Sequence, residues 1–93
     1  MAELLSEPEI EARVARTQWT REGEEIVREW KLADFAAAIA FVGCVAELAE
    51  QANHHPDILV HGWNKVRLSL MNHSAGGLTE ADFELAVKID GLG

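Results

Sequence analysis

The sequence predicts an α+β domain of order α-β-β-α-β-β-α: a four-stranded antiparallel sheet with three helices packed on one face. Three observations carry this. Segments that read as strands come in two pairs. One long segment with apolar residues at helical spacing separates the pairs, and shorter helical segments flank them. Strand pairs joined by a single helix suit an antiparallel sheet covered on one side. Ninety-three residues make one small domain, not two, and no linker or low-complexity tract divides residues 1–93.

Each element has a local reason. Ser6-Glu7-Pro8-Glu9 reads as a helix start, with Ser6 as cap, acids in the first turn and Pro8 in a tolerated early position. Ile10 and Val14 supply an apolar stripe as far as about Arg16. Thr17–Thr20 and Ile26–Leu32 flank Arg21-Glu22-Gly23-Glu24 and read as a hairpin. Arg28 interrupts the apolar face of its second strand. Asp34 caps the longest helix, which runs to about Asn53. Phe35, Ile39, Val42, Ala46 and Ala49 form one stripe on it. Phe41, Val45, Leu48 and Ala52 form another, about 110° around the axis. One stripe covers the sheet, and the other meets a neighbouring helix or a partner subunit. Pro56 closes this region. Ile58–Trp63 and Val66–Asn72 are the next strands, with Val66, Leu68 and Leu70 alternating against Arg67, Ser69 and Met71. Gly76-Gly77 breaks the chain. Thr79 caps a last helix with Glu80 and Asp82 in its first turn and Phe83, Leu85, Ala86 and Val87 as apolar positions.

Composition narrows the function. Sixteen acidic residues against eight Lys plus Arg give a net charge of −8, which argues against a nucleic-acid surface, because phosphate contacts need clustered cations. The longest uncharged apolar run, Phe35–Ala46, has twelve residues, short of the roughly 20 that span a bilayer. Met1-Ala2-Glu3 begins no signal-peptide apolar region, so the cytoplasm is the expected compartment. Cys44 is the only cysteine, which leaves no internal disulfide and no cysteine-based zinc cluster; it reads as a small buried helix residue. A chain this short buries only about 60–65% of its unfolded surface, and self-association is a common remedy.

The chemistry gathers between residues 50 and 82. All four histidines, His54, His55, His61 and His73, fall within twenty residues, with Glu50, Asp57 and Asp82 around them. Imidazole is the side chain suited to moving protons near neutrality. Glu50 and His54 are four residues apart and share a helix face, so the carboxylate can orient the ring and raise its basicity. Three histidines and a carboxylate could also bind zinc, but adjacent His54-His55 is not the HExxH spacing that puts two ligands on one helix face. A lone histidine at a helix end more often caps carbonyls or pairs with a carboxylate; four together weaken that reading.

The stretch Glu50-Gln51-Ala52-Asn53-His54-His55-Pro56, then Trp63-Asn64-Lys65-Val66, then His73, Gly76-Gly77-Leu78-Thr79 and Asp82 resembles the pterin-4a-carbinolamine dehydratase family. A lone His-His-Pro would say little, but these matches keep the family spacing over 33 residues. Trp19 and Asp34-Phe35 also match, so the resemblance runs from about Trp19 to Ile89. It implies the same fold and a hydro-lyase activity: dehydration of 4a-hydroxytetrahydropterin to the quinonoid dihydropterin, without cofactor or metal. It implies that His54 and His73 are catalytic, that His55 completes the set mainly by binding substrate, that Glu50 and Asp82 are supporting acids, and that Trp19 lines the pocket. Trp63 stands at an aromatic position of the family and is expected in the core. His61 has no implied role and reads as a solvated strand residue. Family members form dimers that pair into tetramers, so a homo-oligomer is expected.

The implied chemistry is coherent. Loss of the 4a-hydroxyl needs a proton delivered to a poor leaving group, and N5 supplies the electrons as it loses its own proton. One histidine as acid and one as base meet both needs. The resemblance also reaches proteins that act as partners: a dimerisation cofactor of a homeodomain transcription factor and a chaperone-like Rubisco assembly factor. The latter tend to lose active-site residues, whereas this chain keeps all three family histidines. A pterin-binding module without turnover is the remaining alternative.

Overall fold

A computed structural model of the chain describes residues 3–92. The elements are α1 (Glu7–Ala15), β1 (Thr20–Glu22), β2 (Glu25–Lys31), α2 (Phe35–Ala52), β3 (Asp57–His61), β4 (Lys65–Leu70) and α3 (Glu80–Asp90). The sheet is four-stranded, in the order β1-β2-β4-β3, and every pairing is antiparallel. The two hairpins meet at β2 and β4, in a register from Ile26↔Leu70 to Lys31↔Lys65.

That register puts Ile26, Trp30, Val66, Leu68 and Leu70 on one face, because side chains alternate along a strand. All five are buried, in one cluster with Ile10 of α1, Ala38, Phe41 and Val45 of α2, and Phe83, Leu85, Ala86 and Ile89 of α3. All three helices therefore share this single core, as the sequence predicts. Arg28, the apparent flaw in the pattern, lies on the same face. Its guanidinium stacks 4.6 Å from the Trp30 ring centroid and bonds Asp90 (2.7 Å) and Gln18 (3.0 Å).

Several boundaries differ from the sequence expectation. Thr17–Trp19 do not start a strand. The Thr17 N–H and hydroxyl both donate to the Val14 carbonyl, and the Trp19 N–H donates to the Thr17 hydroxyl, so these residues close α1. The strand then takes Arg21 and Glu22, and the turn shrinks to Gly23-Glu24, with Gly23 at φ +62°. β3 ends at His61. Gly62 (φ +54°) and Trp63 (φ +60°) turn the chain, and Asn64 ties the tip to the Leu32 backbone through both its N–H-bearing side chain and its carbonyl. Trp63, expected in the core, is 62% exposed. On α2 the buried stripe is Ala38, Phe41, Val45 and Ala49, while Phe35 and Ile39 face outward. Cys44, expected to be buried, is exposed on that outer side. α2 is apolar and long enough to cross a membrane, with mean hydropathy 1.5 over 18 residues, but its inner stripe is committed to the sheet.

Candidate active site

The site is assembled where α2, β4 and α3 end or begin. α2 stops because Asn53 adopts the left-handed conformation, φ 49°, which Asn tolerates better than most residues. The His54 N–H then reaches back to the Ala49 carbonyl, 3.1 Å away. His54 is therefore off the helix, and the expected pairing with Glu50 four residues earlier does not form. The His54 ring turns to α3 instead, with Nε2 2.5 Å from Oδ1 of Asp82.

Asp82 is fully buried and is held by the start of its own helix. Its Oδ2 accepts from the Thr79 N–H (2.8 Å) and the Thr79 hydroxyl (3.3 Å). A carboxylate only accepts, so the bond to His54 requires the proton on Nε2. That leaves Nδ1 as the lone-pair nitrogen of the neutral ring. The N-terminal segment braces this corner, with the Leu5 N–H donating to the Leu78 carbonyl at 2.9 Å.

Glu50 pairs with the neighbouring histidine: its Oε2 lies 2.5 Å from Nε2 of His55. Both side chains are largely exposed. β4 ends at Leu70, two residues short of the expected Asn72, so His73 lies beyond the strand. It stands in a loop closed by Asn72, whose carbonyl accepts from Gly76 (2.8 Å) and Gly77 (3.2 Å) and whose side-chain oxygen accepts from Ala75 (3.0 Å). This loop nevertheless brings His73 to the helix end. Asn53, His54, His55, Met71, Asn72, His73 and Ser74 line one shallow cavity of about 260 Å³.

One expected residue lies elsewhere, and His61, to which no role was assigned, stands apart from the cavity. Trp19 does not line this cavity. It is buried in the core, edge-on to Trp30 at 5.6 Å, with its indole N–H bonded to Asp90 at 2.8 Å. His61 is half-exposed at the end of β3, with Nε2 2.5 Å from Glu29 Oε1. Sequence reasoning missed Asn72 and Thr79 as organisers of the site. Asn72 precedes the glycine pair and is a frequent loop-former through its side chain, and that signal could have found it. Among the described residues no three His, Cys, Asp or Glu side chains converge as a metal-ligand set.

Comparison with known proteins identifies the family. The family model described as pterin 4 alpha carbinolamine dehydratase matches residues 3–92. The chain belongs to the pterin-4a-carbinolamine dehydratase family. A relative from Roseiflexus sp. (strain RS-1), provisionally named a pterin-4-alpha-carbinolamine dehydratase, is 56% identical over 91 residues, covering 97% of each chain. Among solved structures, the transcriptional coactivator/pterin dehydratase of Brucella melitensis superposes with a TM-score of 0.90 at 31% identity, over 97% of this chain and 98% of that one. A pterin dehydratase-like protein identified as a RuBisCO assembly factor in the alpha-carboxysome shares the fold, with a TM-score of 0.64 at 24% identity, over 81% of this chain and 86% of that one. Membership in the family thus rests on nearly the whole chain.

Proposed function

We propose that this protein dehydrates 4a-hydroxytetrahydropterin to the quinonoid dihydropterin by histidine acid/base catalysis. One observation carries the reading: His54, backed by the buried Asp82, opens on the same cavity as His73 and His55.

The elimination breaks the C4a–O bond and removes the N5 proton. The hydroxyl leaves as water once an imidazolium donates to it, and a neutral imidazole accepts the N5 proton as its electrons form the C=N bond. His54 and His73 reach the cavity from different elements, which lets acid and base approach different edges of one bound ring. The Asp82 carboxylate holds the His54 ring at Nε2 and leaves Nδ1 to exchange the proton. His55, exposed and held by Glu50, serves mainly to bind substrate. Each positioned proton transfer is typically worth about 10²–10⁴-fold. No step requires a cofactor or a metal. The active form is a homo-oligomer in the cytoplasm.

The test is the decay of freshly generated 4a-hydroxytetrahydropterin with and without the folded protein. Acceleration insensitive to chelator supports the reading. Decay at the buffer rate would favour a pterin-binding or assembly protein without turnover, and activity lost to chelator and restored by zinc would favour a metal enzyme.

A further inference from the structure

A second cavity lies away from the histidines, in the groove between the end of α1 and the outer side of α3. It is an open groove of about 460 Å³ lined by Arg13, Arg16, Thr17, Glu80, Phe83, Glu84, Val87 and Lys88, none of which borders the histidine cavity. That volume falls within the range of about 300–1,000 Å³ usual for small-molecule sites.

Its floor and rim differ in character. Phe83 is 3% exposed and rooted in the core, while Val87, one helical turn later, is 64% exposed and has nothing above it. The Arg13 guanidinium covers the Phe83 ring at 5.8 Å from its centroid and is neutralised by Glu80 at 2.6 Å. Arg16 and Lys88, like Lys31 and Lys65 elsewhere, have no carboxylate partner among the described residues, whereas Arg13, Arg21, Arg28 and Arg67 all do. Three cations thus face two carboxylates, Glu80 and Glu84, and the groove carries one excess positive charge on a chain whose net charge is −8. Such a local inversion favours an anion of single charge. The apolar floor suits a flat or compact apolar body, and the two unpaired cations suit an acceptor such as carboxylate.

We propose that the α1–α3 groove binds a small aromatic monocarboxylate, its ring on Val87 beside the Arg13-covered Phe83 and its carboxylate toward Arg16 and Lys88. The site is independent of the dehydratase reading, because it uses none of the histidine cavity.

The probe is 1-naphthoate, titrated into the full-length protein and followed by amide chemical-shift changes, with uncharged 1-naphthamide as comparison. Expected are saturable shifts confined to residues 13–17 and 80–88. Binding should weaken about three- to tenfold in the Arg16→Gln/Lys88→Gln double variant and in about 0.5 M salt, as for exposed charge contacts. Val87→Glu, at an exposed position that folding does not need, should remove binding. Ile39→Glu, on the exposed face of α2, should leave it unchanged. Equal affinity for the naphthamide, shifts centred on α2 or on residues 71–74, or binding of an acidic peptide in place of the naphthoate would each overturn the proposal.

Discussion

At the scale of single residues, the decisive fact is which carboxylate each histidine meets. His54 is 12% exposed in its side chain and faces a fully buried carboxylate, while His55 and Glu50 are a solvent-facing pair. The first arrangement fixes a ring and the second barely restrains one, since exposed pairs contribute only about 0–1 kcal/mol. Asp82→Asn keeps the size of the side chain but leaves one acceptor oxygen where His54 and Thr79 each need one. Its turnover should therefore fall by about 10–100-fold, part of the value of one positioned proton transfer, with substrate affinity nearly unchanged; equal kcat in variant and wild type would remove Asp82 from the mechanism. His54→Ala/His73→Ala should lose most of the acceleration and still give the wild-type circular dichroism spectrum, as His73 is exposed and His54 is outside the core cluster. His55→Ala should raise KM more than it lowers kcat, and His61→Ala, in its separate pair with Glu29, should be silent in the same assay. The histidine group was legible in the sequence from its density and spacing. Its partners were not, because the Glu50–His54 expectation assumed a helix that the left-handed Asn53 ends one residue early. Trp19 matched the family pattern by position, yet a pattern match cannot say that Asp90, 71 residues away in the chain, takes the indole proton.

At the scale of elements, the caps were the most readable feature. Ser6, Asp34 and Thr79 precede the three helices as the sequence predicts; the Ser6 and Asp34 side chains accept from otherwise orphaned N–H groups, whereas at α3 the Asp82 carboxylate accepts from Thr79. Strand ends were less readable, because side-chain alternation does not register where a turn begins. The β3–β4 tip shows this most clearly. Trp63 extends the apolar pattern of β3, but Gly62 and Trp63 both take positive φ, and the indole is carried out to solvent. A bulky residue in that conformation costs about 1–2 kcal/mol, and Asn adopts it more easily. Trp63→Asn should therefore leave the isolated fold as stable or up to about 1 kcal/mol more stable in urea unfolding, whereas a core tryptophan would cost several kcal/mol; a loss of about 3 kcal/mol would mean that the assembled protein buries Trp63. The first helix offers a test through pH. The Arg21 guanidinium holds the Glu7 carboxyl below the ordinary glutamate value of 4.5, and bonds from the Ser6 backbone and hydroxyl do the same for Glu9. A carboxylate depressed in the folded state stabilises above its unfolded pKa, and that contribution is lost as pH falls through the folded value. The Glu7→Gln/Glu9→Gln variant should thus melt below the wild type at pH 7, and the gap should close below pH 4.5. A gap that persisted in acid would assign the effect to packing instead of charge.

At the scale of the whole molecule, the core is sealed on one side of α2 and left open on the other. Ala38, Phe41, Val45 and Ala49 are spent on the sheet. Phe35 at 54% and Ile39 at 46% exposure stand outside, with exposed Ala36, Ala40, Gly43, Cys44 and Ala46 around them. No charge interrupts this outer surface from Phe35 to Ala46. The sequence displayed both stripes but not which one the sheet would take, because helical spacing gives two apolar faces without ranking them. In the structure the stripe of Ala38, Phe41, Val45 and Ala49 is buried, and the outer one has small residues between its two large ones, a surface on which another helix can approach closely. β3 adds a second unfinished edge, since it ends the sheet order with Ile58 and Leu59 partly uncovered, and unpaired strand edges invite pairing. Large contiguous apolar patches on a small acidic domain are ordinarily covered. The protein should accordingly sediment well above its monomer mass of 10.3 kDa at micromolar concentration. Ile39→Glu places a charge in the middle of the outer stripe without touching the inner one, so it should lower the sedimenting mass while leaving the helical circular dichroism intact. If Ile39→Glu dissociates the assembly but activity survives, each chain carries a complete cavity; if activity falls together with mass, the assembled form holds the His73 loop and the end of α2 in register. A monomer mass for the unmodified protein across the whole concentration range would sink the self-association reading, and the outer face of α2 would then need another occupant.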